Sequence, residues 1–169
     1  MLALWSTDLT GIFLENARIA DANDSKHLER LGIAAEQELL EKRGGLTLSK
    51  ENPYYGDAKS YFKSAFSDSS IEVFVGTIDD VIVGFGVIKL GNLEDGTAHA
   101  SIKALYVEEA ARSIGVGEAM MDQMLICATS YKAKAVDAVA LPGDRATKNF
   151  FETHGLVARA IIVQKALTE

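Results

Sequence analysis

The residues best suited to chemistry lie in one stretch, Ala104-Leu105-Tyr106-Val107-Glu108-Glu109-Ala110-Ala111-Arg112-Ser113-Ile114-Gly115-Val116-Gly117-Glu118-Ala119-Met120-Met121. An apolar run ends at Val107, a short acidic link follows, and a glycine-punctuated turn leads straight into an amphipathic helical pattern. That order suits the binding of a phosphate. The first turn of a helix has backbone N–H groups without intrahelical partners and a partial positive charge from the aligned peptide dipoles. Gly115 and Gly117 carry no Cβ and let backbone amides approach an anion closely, and Arg112 adds positive charge. An ordinary strand-to-helix turn with a packing glycine is the plainer alternative. A dinucleotide fingerprint is disfavoured, because it needs an early βαβ unit and an acidic residue about 20 positions on, whereas several strand-like runs precede this motif.

Just upstream, His99 and Ser101 alternate along a strand-like run and so share a face. An imidazole, with an unperturbed pKa of ~6.5, can take a proton from an ammonium directly or through water, and Ser101 can position that water. A surface histidine near a turn is the alternative reading of His99. His27 and His154 are weaker candidates, and the last turn of a helix favours a charged His154 in any case.

The segment from Val107 to Gly117 resembles the acyl-CoA-binding motif of the GNAT N-acyltransferase family, Val-x-Pro-x-x-Arg/Gln-x-x-Gly-x-Gly/Ala. Val107, Arg112, Gly115 and Gly117 match, and Glu109 stands at the Pro position. The closing third is similar to the family's Asn-x-x-Ala-x-x-x-Tyr-Glu-Lys-x-Gly-Phe helix, with Asp144 at the Asn position, Phe151 at the Tyr position, then Glu152 and Gly155-Leu156. The resemblance implies acetyl-CoA as co-substrate. Arg112, Ser113, Ile114, Gly115, Val116 and Gly117 would bind the pyrophosphate, the backbone of Leu105, Tyr106 and Val107 the pantetheine arm, and Asp144, Lys148 and Phe151 would line the cofactor's other side. It also implies an α/β (α+β) fold: a mixed, largely antiparallel sheet flanked by helices, as a single domain over residues 1–169.

The implied reaction is transfer of an acetyl or short acyl group to a primary amine of a small molecule or protein, by direct attack in a ternary complex. Holding both partners in place supplies roughly 7–11 kcal/mol; acid–base help typically adds about a hundred- to ten-thousand-fold. Two positions depart from the family. Phe151 replaces a tyrosine that protonates the departing thiolate, and Ser101 stands where a carboxylate is common. His99, with Ser101 or water, is the nearest replacement base. The departures also suit a catalytically degenerate acyl-CoA-binding sensor or partner module.

The positioning elements follow from periodicity and punctuation. Residues 12–20 read as a first strand; Asp21 or Asp24 then caps a helix with Leu28, Leu31, Ala35 and Leu39 on one face, ended by Gly44-Gly45. Residues 46–56 read as a loop and are followed by a helix presenting Ala58, Phe62, Ala65 and Phe66. Tyr54, Tyr55 and Tyr61 are candidate acceptor contacts or half-buried packing aromatics. Strands are expected at 71–78, 81–90 and 97–107, joined by an Asp79-Asp80 turn and by residues 92–96. A helix over 117–133 carries Met120, Met121, Met124, Leu125 and Ala128 on its core stripe. A short buried strand over 135–141, a helix over 145–154 stopped by Gly155, and a closing strand over 158–166 complete the order, the last a possible edge for a homodimer.

Bulk properties narrow the classes. At 169 residues with 48% hydrophobic and 24% charged, the chain can bury a core of one domain. A net charge of −7 argues against a general nucleic-acid binder and leans weakly toward amine substrates. No apolar run approaches the ~20 residues of a membrane span, and Met1–Asp8 lacks the basic start of a signal peptide, so a cytoplasmic location without membrane partners is expected. The single cysteine, Cys127, lies in a helical pattern and reads as core, which excludes a cysteine-based metal cage; no metal is expected.

Overall fold

The computed structural model describes residues 14–167 with the exception of Pro53 and Tyr55. Five strands, β1 (Glu15–Ile19), β2 (Ile71–Ile78), β3 (Val81–Asn92), β4 (Ala98–Val107) and β5 (Val136–Asp137), lie side by side in chain order. The first four pair antiparallel; β5 runs parallel to β4 through Ala100↔Val136 and Ser101↔Asp137. Helices α1 (Ser25–Leu40), α2 (Gly45–Glu51) and α3 (Ala58–Ala65) precede β2, α4 (Val116–Ser130) follows β4, and α5 (Arg145–Thr153) follows β5.

The strand period of two divides the core between the sheet's faces. Val73, Val75, Phe85 and Val87 pack against Leu28 and Leu31 of α1 and Phe62 of α3. On the opposite face, Phe74, Ile88, Ala100 and Ile102 meet Met121, Met124 and Ala128 of α4 and Phe151 of α5. Gly76 and Gly84 let α4 settle closely on the sheet, since a Cβ at Gly76 would lie 2.5 Å from Val116 Cγ1 and one at Gly84 would lie 2.9 Å from Met120 Cε. The Asp79-Asp80 turn has both residues at positive φ (47° and 66°), the geometry that matches strand twist in a two-residue hairpin.

A bulge on β4 shapes the functional face. Val87 pairs with Ala104 but Ile88 pairs with Ile102, so Lys103 is an extra residue. Ala100, Ile102 and Leu105 therefore all pack toward α4, while Ala104 and Tyr106 pack toward α1 and α3.

Several elements differ from the sequence reading. Of the first strand, residues 12 and 13 lie outside the described residues. The helix expected to run to Gly44-Gly45 ends at Leu40, and Gly44, left-handed at φ 80°, instead starts α2 inside the stretch read as a loop. The strand expected over 135–141 is two residues long and half-exposed. The closing strand over 158–166 is not formed, and Ile161, Ile162 and Val163 are each 86–89% exposed. Its β-branched composition suits a strand, but β-propensity expresses packing against neighbours, and these exposed residues make little such packing.

Candidate active site

β4 and β5 pair only as far as Ser101 and Asp137 and then separate. A cleft of about 630 Å³ opens in that fork, lined along one wall by every residue of β4 from Ser101 to Val107 and along the other by Asp137, Ala138, Val139 and Leu141. Leu39, Lys42, Leu48 and Tyr54 close the α1–α2 side; Asp144, Thr147, Phe150 and Phe151 close the α5 side. An open parallel fork leaves the backbone groups of β4 facing the cleft rather than a partner strand, which suits a ligand arm that contains amides.

The glycine loop stands at the Val107 end. A 3-10 turn over Glu109–Ala111 follows Glu108, and Gly115, left-handed at φ 97°, is the residue on which α4 begins. Ser113 is also at positive φ (64°), and turns with left-handed residues of this kind can present backbone amides to an anion. A Cβ at Gly115 would come 2.9 Å from the Glu15 side chain, and one at Gly117 would come 3.4 Å from the Phe150 ring. Gly115 is thus required by its left-handed backbone and close neighbour, whereas Gly117 has room for a Cβ in ordinary contact with Phe150.

Arg112 does more than add charge. Its Nε donates to the Val107 carbonyl at 2.8 Å, its guanidinium lies 5.6 Å from the centre of the Tyr106 ring, and it donates to the Glu38 carboxylate. Glu38 in turn pairs with Lys42 at 3.2 Å, and Lys42 with Asp144 at 2.8 Å. A chain of alternating charges thus ties the glycine loop to α1 and α1 to the start of α5. Burial pushes the Glu38 and Asp144 carboxyls up, but their donors outweigh it, Arg112 and Lys42 for Glu38, Lys42 and the Thr147 amide for Asp144, and hold both below the usual carboxylate range. Asp144 also caps α5 by accepting from the Thr147 amide at 3.1 Å.

On the α1 face of β4, His99 Nε2 lies 3.1 Å from Asp137 Oδ2. Asp137 faces the cleft beside Ser101, and Arg159 of the C-terminal segment grips it through two guanidinium nitrogens. That grip is the main reason the Asp137 carboxyl is held low. Ser101 lines the cleft; His99 stands behind it at the pairing point of β4 and β5.

The sequence-predicted residues therefore divide. Leu105, Tyr106, Val107, Arg112, Ser113, Gly117, Asp144 and Phe151 line the cleft together with Ser101, and Ile114, Gly115 and Val116 complete the loop at its end. Lys148 does not line it; its ammonium pairs with Glu152 one turn along α5. Phe151 is 8% exposed within the α4–α5 core. Tyr54 and Tyr61 are buried against Phe62, with Tyr54 also at the cleft wall, and burial pushes the Tyr61 hydroxyl up to about 12; Tyr55 lies outside the described residues. The sequence reading missed Glu38, Lys42, Lys103, Asp137, Phe150 and Arg159. Only the i,i+4 spacing of Glu38 and Lys42 was a local signal. Among the described residues no group of three or more His, Cys, Asp or Glu could hold a metal ion, and no helix is long and apolar enough to cross a membrane.

Solved structures of other proteins share this fold. The fold is similar to the BH1408 protein of Bacillus halodurans (TM-score 0.75, 18% identity, 89% of this chain and 99% of that one). It is also similar to a ribosomal-protein-alanine N-acetyltransferase from Brucella melitensis biovar Abortus (TM-score 0.67, 14% identity, 90% and 99%). A third similar structure is the aminoglycoside acetyltransferase meta-AAC0020 from an uncultured soil metagenomic sample (TM-score 0.69, 16% identity, 92% and 96%). No curated protein matches the sequence significantly. Residues 36–156, from the middle of α1 to just beyond α5, match the acetyltransferase (GNAT) family, and the chain belongs to that family.

Proposed function

We propose that the chain is an N-acetyltransferase that moves an acetyl or other short acyl group from CoA to a primary amine within a ternary complex. The observation that carries this reading is the forked cleft between β4 and β5 with a glycine loop at its end, where α4 begins on the left-handed Gly115. In it, Ser113 to Gly117 hold the pyrophosphate, the β4 backbone from Leu105 to Val107 the pantetheine arm, and Phe150 and Phe151 pack along the opposite side. The amine nitrogen attacks the thioester carbonyl carbon, the C–S bond breaks, and the sulfur leaves as CoA thiolate. The nitrogen's surplus proton goes to His99, whose ring is oriented by Asp137, through a water held at Ser101.

Phe151 favours a second reading, an acyl-CoA-binding sensor, because it places a hydrocarbon ring where a tyrosine would protonate the thiolate. Thiol release from acetyl-CoA against a panel of amines separates the two: turnover with any amine supports the enzyme, and tight acetyl-CoA binding without turnover supports the sensor. A second copy of the chain is the partner we assign to the segment after α5, since Val157, Ile161, Ile162, Val163 and Leu167 are all exposed. Sedimentation should find a dimer at tens of micromolar protein, and a monomer there would contradict this assignment.

A further inference from the structure

We propose that the acceptor amine carries a carboxylate close to the reacting nitrogen, as a free amino acid does, and that Lys103 recognises it. The proposal rests on the acetyltransferase reading above and names its substrate class.

Charge compensation at the fork singles out Lys103. Of the five carboxylates that line the cleft, three are already matched by cations, Glu38 by Arg112 and Lys42, Asp144 by Lys42, and Asp137 by Arg159, while Glu118 lies in the first turn of α4 beside Gly117 at the glycine-loop end and Glu51 at the end of α2. Lys103 lines the same cleft and has no carboxylate partner among the described residues. Its position is fixed by the β4 bulge, in which it is the extra residue, two positions beyond Ser101, where pairing with β5 stops. A cation placed there disfavours an acceptor whose only charges are positive, because like charges at close range are costly and a small molecule cannot move its second charge away. It favours a carboxylate, which the ammonium can meet with a charge-assisted hydrogen bond. Glu51, at the end of α2, lines the cleft without an ion partner among the described residues and suits the ammonium form of the incoming nitrogen. The overall charge of −7 does not reverse this, since charges beyond about 8–10 Å are screened at physiological salt.

The test compares phenylalanine with phenethylamine, which differ only in the carboxylate, and their N-acetyl forms. Calorimetry of the two N-acetyl compounds on CoA-saturated protein requires no turnover, and thiol release from acetyl-CoA gives kcat/KM for the two amines. N-acetylphenylalanine should bind at least tenfold more tightly than N-acetylphenethylamine, kcat/KM should follow the same order, and Lys103→Met should bring both ratios close to one. Lys103→Arg, which keeps the charge, should retain the preference. Equal binding of the two compounds, or a preference unmoved in Lys103→Met, would overturn the proposal. If CoA itself fails to bind, the acetyltransferase reading falls, and the same titration on the free protein still decides the carboxylate preference.

Discussion

Gly115 shows most directly how one position couples backbone geometry to function. It is left-handed at φ 97°, and the Glu15 side chain occupies the space a Cβ would need. Gly115→Glu forces a side chain into a strained backbone and sets a carboxylate beside the place assigned to pyrophosphate. The expected outcome is loss of acetyl-CoA binding by at least a hundredfold in calorimetry, with the far-ultraviolet spectrum unchanged. His99 acts at one remove, behind Ser101 and against Asp137. His99→Ala should lower kcat about a hundredfold with little change in the KM for acetyl-CoA, in line with loss of a general base, and Asp137→Asn should follow it in kcat. An unchanged kcat in steady-state thiol release would remove His99 from the mechanism. These residues were unequally legible. Arg112, Gly115 and Gly117 stand in one short stretch whose spacing is visible in the chain, whereas Asp137 and Arg159 reach His99 and the cleft only through strand pairing and the path of the last segment.

Among the elements, the 3-10 turn Ala22–Asp24 that leads into α1 is held by a reciprocal cap. Asp21 accepts from the Asn23 amide at 2.7 Å, the Asp24 carboxylate accepts from the Asp21 amide at 2.9 Å, and Arg18 grips Asp24 at 2.7 and 2.9 Å. Asp21→Ala should cost about 1 kcal/mol in urea unfolding, the ordinary value of such a cap. Phe62 is fully buried where α3 meets α1 and the sheet, and Phe62→Ala should cost about 3–5 kcal/mol in the same measurement. Both sites were readable: Asp21 and Asp24 before a helical pattern are start signals, and Phe62 recurs at helical spacing with Ala58 and Ala65. What escaped was context. α2 starts from a left-handed Gly44 just before a stretch rich in turn residues, and the last segment, strand-like in composition, stays exposed without pairing onto the sheet.

For the whole molecule, charge placement matters more than charge count. The chain Arg112–Glu38–Lys42–Asp144 links three parts of the sequence, the glycine loop, α1 and the start of α5, and Asp137 adds a further carboxylate bound to a cation. Because Glu38, Asp137 and Asp144 titrate below their unfolded values, near 4, the fold favours their ionised forms. Their contribution is fully present above about pH 5 and is lost as the pH falls through the lower folded values. The midpoint of thermal unfolding should therefore be level from pH 7 to about 5 and fall steeply below about pH 4, and Lys42→Met should flatten that fall. An acyl-CoA held in the forked cleft with its pyrophosphate at the glycine loop is the central proposal. Calorimetric titration of acetyl-CoA into the native protein and into Gly115→Glu tests this most directly. Micromolar binding to the native chain that disappears in the variant is the predicted result; no binding to the native chain, or equal binding to both, would contradict it.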